Sequence, residues 1–210
     1  MLSNELDNDI RTTIELLRQK NVVFEPGLSD LEVAKVETTF GFRFPPDLRA
    51  FLQAQMPIRV ESKWGGNAFP NWRNGDQVEL QGRLDWPFDG MAFDIEQNTF
   101  WLKEWGPKPT TLVDALEIAR KHFGAAPRLI PICSHRYLPA DPPLVGNPVF
   151  SVYQTDIIIY GRNLWDYFRH EFDMEAWLRA NQEEGLTDQA FHALLREIPF
   201  WTKLLDGGEP

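Results

Sequence analysis

Apolar residues recur along this chain at two periods, and the changes between them predict the order of elements. Leu6, Ile10, Ile14 and Leu17 stand three or four apart through residues 5–19, which predicts an amphipathic helix with one inward stripe. Ser29 followed by Glu32 is a capping-box pattern ahead of Val33, Val36 and Phe40, and Gly41 stands where that helix stops. Pro46 suits the first turn of a further helix carrying Leu48, Phe51 and Leu52 inward, with Pro57 ending it. Residues 58–76 hold Gly65, Gly66, Pro70, Asn71, Asn74 and Gly75 and read as a loop, yet one bearing Trp64, Phe69 and Trp72. Aromatics in a loop either plug the edge of a core or present a binding surface.

Further on, Gln77–Leu80 reads as a short strand, and Met91–Ile95 with Thr99–Leu102 as a hairpin turning at Glu96, Gln97 and Asn98. Thr111 with Asp114 opens a helix bearing Leu112, Leu116, Ala119 and Phe123, closed by Gly124. The centre of the chain is Arg128–Gly161, with apolar runs at Leu129–Cys133, Pro148–Tyr153 and Asp156–Tyr160. The unbroken Ile157, Ile158 and Ile159 predict a strand covered on both faces. The short Gln154-Thr155 corner predicts an antiparallel hairpin with the preceding run. Asn163 with Asp166 caps the next helix, and helical signals continue through Met174–Asn181 and Asp188–Arg196, with Pro199 breaking the last. Helix, sheet and helix without regular βαβ alternation predict an α+β fold: a central, mostly antiparallel sheet flanked by helices, with extra C-terminal helices. The expected division is an N-terminal helix over 1–24, an α+β domain over 25–172 and a helical extension over 173–210 packed on the same domain.

Composition adds limits. Of 210 residues 43% are apolar, including 8 Trp and 15 Phe, enough to fill a substantial core. The 31 acids against 21 bases leave a net charge of -10, which argues against direct nucleic-acid binding and suits a basic protein partner. Cys133 is the single cysteine; inside Leu129–Cys133 it reads as a buried, inert thiol. The first residues lack the apolar core of a secretory signal, and no run approaches the roughly 20 residues of a membrane span. The expectation is a soluble cytoplasmic protein with no cofactor.

Five segments carry a resemblance. The helix-turn-helix Leu28–Met56, with Glu37, Gly41, Pro45-Pro46 and Leu48-Arg49, resembles the opening of the SUKH superfamily, which includes the fungal cell-wall assembly regulators of the Smi–Knr type. Pro70–Arg73, Gly90–Gly106, Leu129–Pro139 and Gly146–Gly161 look like its bacterial branch, and the likeness covers about 25–172. It implies an α+β fold with a helix-flanked sheet, no established catalytic centre, and a protein-binding role. In bacteria that role is chiefly immunity against polymorphic toxins; in fungi it is a signalling scaffold. One fold serves many partners, so the family alone does not assign the role.

Three constellations carry candidate chemistry. Asp94, Glu96, His135, Asp141 and Asp156 all fall near predicted strand ends, where carboxylates and an imidazole could bind a divalent metal or act as acid and base in a metal-dependent hydrolase. The plainer account is a structural polar network of Asp94, Glu96, His135, Arg136 and Asp156, because charges near an apolar core need partners. Nucleophilic motifs and closed zinc sites find no match. Trp72 and Arg73 are candidate partner-binding anchors, being residue types favoured in interfaces. Between Asp166 and Asp188 stand seven acids against two bases, so Glu175, Glu183 and Glu184 are candidate docking residues for a basic partner such as a nuclease toxin domain. The expectation is a non-enzymatic protein-binding module, an immunity protein acting by occlusion in its leading form, with a regulatory scaffold as the alternative.

Overall fold

The computed structural model describes residues 2–59, 68–183, 185 and 195–205. Helix α1 (Leu2–Gln19) leads into β1 (Val23–Pro26), then α2 (Asp30–Phe40) and α3 (Pro46–Ala54), which passes directly into β2 (Gln55–Arg59). Strands β1 and β2 form a small antiparallel sheet of their own, so Pro57 lies inside a strand and does not end the helix. The capping box at α2 is complete: the Ser29 hydroxyl accepts from Glu32 N, and the Glu32 carboxylate accepts from Ser29 N at 2.8 Å. Gly41 closes the helix at φ 68, in the left-handed region that glycine enters without strain.

The largest departure from the sequence reading is α4 (Gln77–Gln97), one continuous helix where a short strand and the first arm of a hairpin were expected. Asp76 caps it by accepting from Val78 N and Glu79 N. Gly82, Pro87 and Gly90 each lower helix propensity locally. Packing overrides that cost: Leu80, Leu84, Phe88, Met91 and Ile95 form a continuous buried face. A 3-10 turn (Lys103–Trp105) then leads to α5 (Leu112–Ala125), capped by Thr111.

The main sheet is an antiparallel meander of four strands in the order β3 (Leu129–Cys133), β4 (Arg136–Pro139), β5 (Val149–Tyr153) and β6 (Asp156–Gly161). Strand β4 is an addition to the expected set; it inserts between β3 and the β5–β6 hairpin. The hairpin forms as expected, but β6 is the last strand of the sheet, and Ile158 is half-exposed, so the isoleucine run is not covered on both faces. Helices α6 (Leu164–Phe172, capped by Asn163), α7 (Met174–Glu183) and α8 (Trp201–Leu204) complete the described elements. The helix expected over Asp188–Arg196 lies almost wholly outside the described residues, as does Trp64.

Alternation along the strands splits the core into two layers, one per sheet face. Ile130, Ile132, Leu138 and Val149 pack against α1, α2, α3 and α6. Leu129, Tyr137, Phe150, Val152 and Ile157 pack against the C-terminal half of α4, α5 and α8. Each fully buried Leu, Ile or Phe contributes about 1.5–3 kcal/mol relative to exposure. Helices on both faces of an antiparallel sheet make the fold α+β, as expected. Among the described residues no helix is long and apolar enough to cross a membrane.

Candidate functional site

Asp94 sits on α4, not on a strand, and is buried beneath the β5–β6 turn. Its Oδ2 accepts from Thr155 N at 2.8 Å and from Thr155 Oγ1 at 2.6 Å, while Oδ1 accepts from Asn98 Nδ2 at 2.6 Å. One helical turn earlier, Gly90 lets the same corner approach: a Cβ there would stand 2.7 Å from Gln154 Cα. The carboxylate is therefore a clamp on the hairpin, with its oxygens already occupied.

Arg136 forms a second, separate cluster on the opposite side of the sheet. Its Nε donates to Glu171 at 3.1 Å and its Nη1 to Ser151 Oγ at 2.8 Å, and Nη1 also contacts His135 Nε2. The guanidinium carbon lies 3.7 Å from the Tyr160 ring centroid, and His170 stacks on Tyr160 at 4.1 Å. Two planar groups this close cannot share one face of a ring, so Arg136 and His170 sandwich Tyr160. Trp177 stacks on His170 at 4.1 Å, extending the pile to α7. Because guanidinium only donates, His135 Nε2 must accept, which makes the imidazole neutral with its proton on Nδ1, 3.2 Å from Ser134 Oγ. Burial, with Arg136 second, holds its pKa below the usual value, and Glu171 opposes the shift. Burial pushes the Cys133 thiol up to about 12, so it is an inert core residue.

The set proposed for metal or acid–base chemistry is thus divided. Asp94 belongs to the turn, His135 to Arg136, and Glu96, Asp141 and Asp156 are exposed. Among the described residues no three His, Cys, Asp or Glu side chains converge as a metal site. The expected single polar network is corrected in the same way: it is two clusters, around Asp94 and around Arg136, with Glu96 and Asp156 outside both.

Trp72 and Arg73 are also placed differently from an exposed anchor pair. Trp72 is only 4% exposed and meets Phe40, Phe42 and Phe44 edge-on at 6.1, 5.8 and 5.4 Å. It plugs the core, as does Phe69 beside it. Arg73 is spent internally: Nε donates to Glu32 at 2.5 Å, Nη1 to Glu25 at 2.7 Å, and Nη2 to the carbonyls of Pro26 and Gly27. Arg73, with Ser29, draws the Glu32 carboxyl down to about 2. Neither residue is a surface anchor.

The acidic segment divides as well. Asp166 is buried and accepts from Arg162 at 2.8 Å and from Trp177 Nε1 at 3.1 Å, Glu171 pairs with Arg136, and Asp173 accepts from Ala176 N at the start of α7. Glu175 and Glu183 remain exposed, Glu175 in a loose pair with Arg179, and Glu184 lies outside the described residues. Alongside them the exposed apolar side chains Met174 and Leu178 stand one turn apart on the same helix.

One exposed aromatic group was not assembled by the sequence alone. Trp86 is 47% exposed and Phe93 48% on α4, and Tyr153 is 60% exposed beside the turn that Gly90 admits. Trp86 and Phe93 are seven residues apart, a signal visible only once the segment is recognised as a helix.

No family model, no curated protein and no solved structure matches the chain. The likeness to the SUKH superfamily rests on its motifs alone.

Proposed function

We propose that this protein is a non-enzymatic protein-binding module that docks a basic partner, and that its specific form is immunity to a toxin by occlusion. The observation that carries the reading is the outer face of α7. Glu175 and Glu183 project there without a buried partner, beside the exposed pair Met174 and Leu178. The helix is fixed to the domain by Trp177, which stacks on His170 and donates to Asp166, so the face is presented without a large ordering cost. Exposed apolar side chains beside a net acidic surface, in which Arg179 offsets one of the two acids, suit a basic partner: the excess negative charge accelerates encounter and the apolar pair slows dissociation. The immunity form is supported by the resemblance of the motifs alone.

The test is capture of the tagged protein from its native cytoplasm, followed by surface-binding kinetics with what co-purifies. A basic partner is expected, whose association with Glu175→Lys/Glu183→Lys slows at low salt and converges with wild type near 1 M, where the screening length is about 3 Å. Equal association rates at low salt would make this face a solvated helix surface. An immunity protein must further suppress the partner's activity in a purified mixture; binding without suppression would leave a scaffold.

A further inference from the structure

We propose that the outer face of α4, with the adjoining β5–β6 turn, is a second docking surface, shaped for a basic amphipathic helix of a partner protein. It lies across the sheet from α6 and α7 and does not depend on the reading of α7.

The face is built at helical period. Leu84, Phe88, Met91 and Ile95 point into the core, which turns Asp85, Trp86, Asp89, Phe93 and Glu96 outward. Trp86 and Phe93 repeat at seven residues, and so do Asp89 and Glu96, giving an aromatic row with an acidic row beside it. From Asp85 to Glu96 the stripe runs about 16 Å, or about three helical turns. The β5–β6 turn borders this face, held against α4 by the close approach at Gly90 and by the Asp94–Thr155 bonds. Half-exposed aromatics on a rigid platform are efficient anchors, because little side-chain or backbone entropy is lost on contact.

Charge selects the occupant. Asp85, Asp89 and Glu96 form no ion pair with any described residue; among those residues Asp85 accepts only a 2.8 Å bond from Gln81. Three cations that touch α4 do so away from these acids: Arg83 at Glu79 and the Ala68 carbonyl, Arg120 over the Phe88 ring, and Lys108 at the Ile95 carbonyl. A seven-residue repeat on one helix face is matched by the ridges of another helix. A strand would instead need free backbone N–H and C=O groups along a sheet edge, which the outer face of a helix does not offer. A second copy would set acid against acid. The complement is a helix with apolar residues at heptad spacing and Lys or Arg flanking them.

The probe is a synthetic leucine–lysine helix of about 14 residues, two heptads with leucine at a and d, measured by isothermal titration against the full chain. A scrambled peptide of the same composition is the control for charge alone. The patterned peptide should bind at least about tenfold more tightly than the scrambled one, and Trp86→Ala/Phe93→Ala should remove that advantage while salt dependence persists. Asp85→Asn/Asp89→Asn/Glu96→Gln should weaken binding at low salt and converge with wild type at high salt. These side chains are exposed, and an unchanged thermal melt confirms that each variant folds. The α7 variant Glu175→Lys/Glu183→Lys should bind the peptide as wild type does. Equal affinity for both peptides, an aromatic variant that binds normally, or loss of binding in the α7 variant would each overturn the proposal. So would sedimentation showing a homodimer that Trp86→Ala dissociates, because the occupant would then be a second copy.

Discussion

The hydroxyl of Tyr137 donates a 2.8 Å hydrogen bond to the carbonyl of Arg83. In an unbroken helix that carbonyl would accept from residue 87, but residue 87 is proline and has no N–H. A strand residue therefore supplies the donor that the helix lacks, and α4 runs through its proline without a buried unsatisfied oxygen.

Tyr137→Phe should cost about 1–3 kcal/mol in urea denaturation, the penalty of an unmade buried bond. In a Pro87→Ala background the alanine N–H can take the Arg83 carbonyl, so the same Tyr137→Phe change should cost measurably less. A double-mutant cycle reads the difference; strict additivity would show that the two residues do not share that acceptor.

The two glycines of α4 should respond oppositely to alanine. A Cβ at Gly82 meets nothing within 4 Å, so Gly82→Ala should gain up to about 1 kcal/mol from helix propensity. A Cβ at Gly90 would stand 2.7 Å from the Gln154 backbone, so Gly90→Ala should lose about 1–3 kcal/mol despite the same propensity gain. Thermal melts of the two single variants compare them directly.

Asp94→Asn should destabilise by about 1–3 kcal/mol, because an amide cannot accept all three bonds from Thr155 and Asn98. Asp156→Asn, at an exposed site, should stay within about 0.5 kcal/mol of wild type. The two carboxylates looked alike in sequence, and only the fold separates them. Comparable destabilisation of both would place Asp156 in a network that the structure does not show.

His135 should make stability fall under mild acid. Its folded pKa lies below the ordinary 6.5, chiefly through burial and then Arg136, with Glu171 opposing. Below pH 6.5 the unfolded chain binds a proton that the native imidazole resists, so stability declines until the folded pKa is reached; above 6.5 this residue adds no slope. Urea midpoints between pH 8 and pH 5 should show the decline, and His135→Gln, which can still accept from Arg136, should flatten it. An unchanged slope in that variant would assign the effect to other groups.

Local chemistry was legible wherever the physics is local. The capping box at Ser29 and Glu32, the glycine stop at Gly41, and the caps at Thr111 and Asn163 involve groups a few residues apart, and each stands as the sequence implied. The hairpin of β5 and β6 was readable for the same reason, and so was the amphipathic stripe of α1. Tertiary structure decided what depends on distant partners. The identity of α4 rests on Tyr137 supplying a bond across 54 residues, and on a turn that fits only against Gly90. The tryptophans follow the same rule: Trp72 is enclosed by three phenylalanines, while Trp86 is left outside by the helical phase of its neighbours. A side chain's exposure is set by what packs over it, and that information lies in the fold rather than in the neighbouring residues.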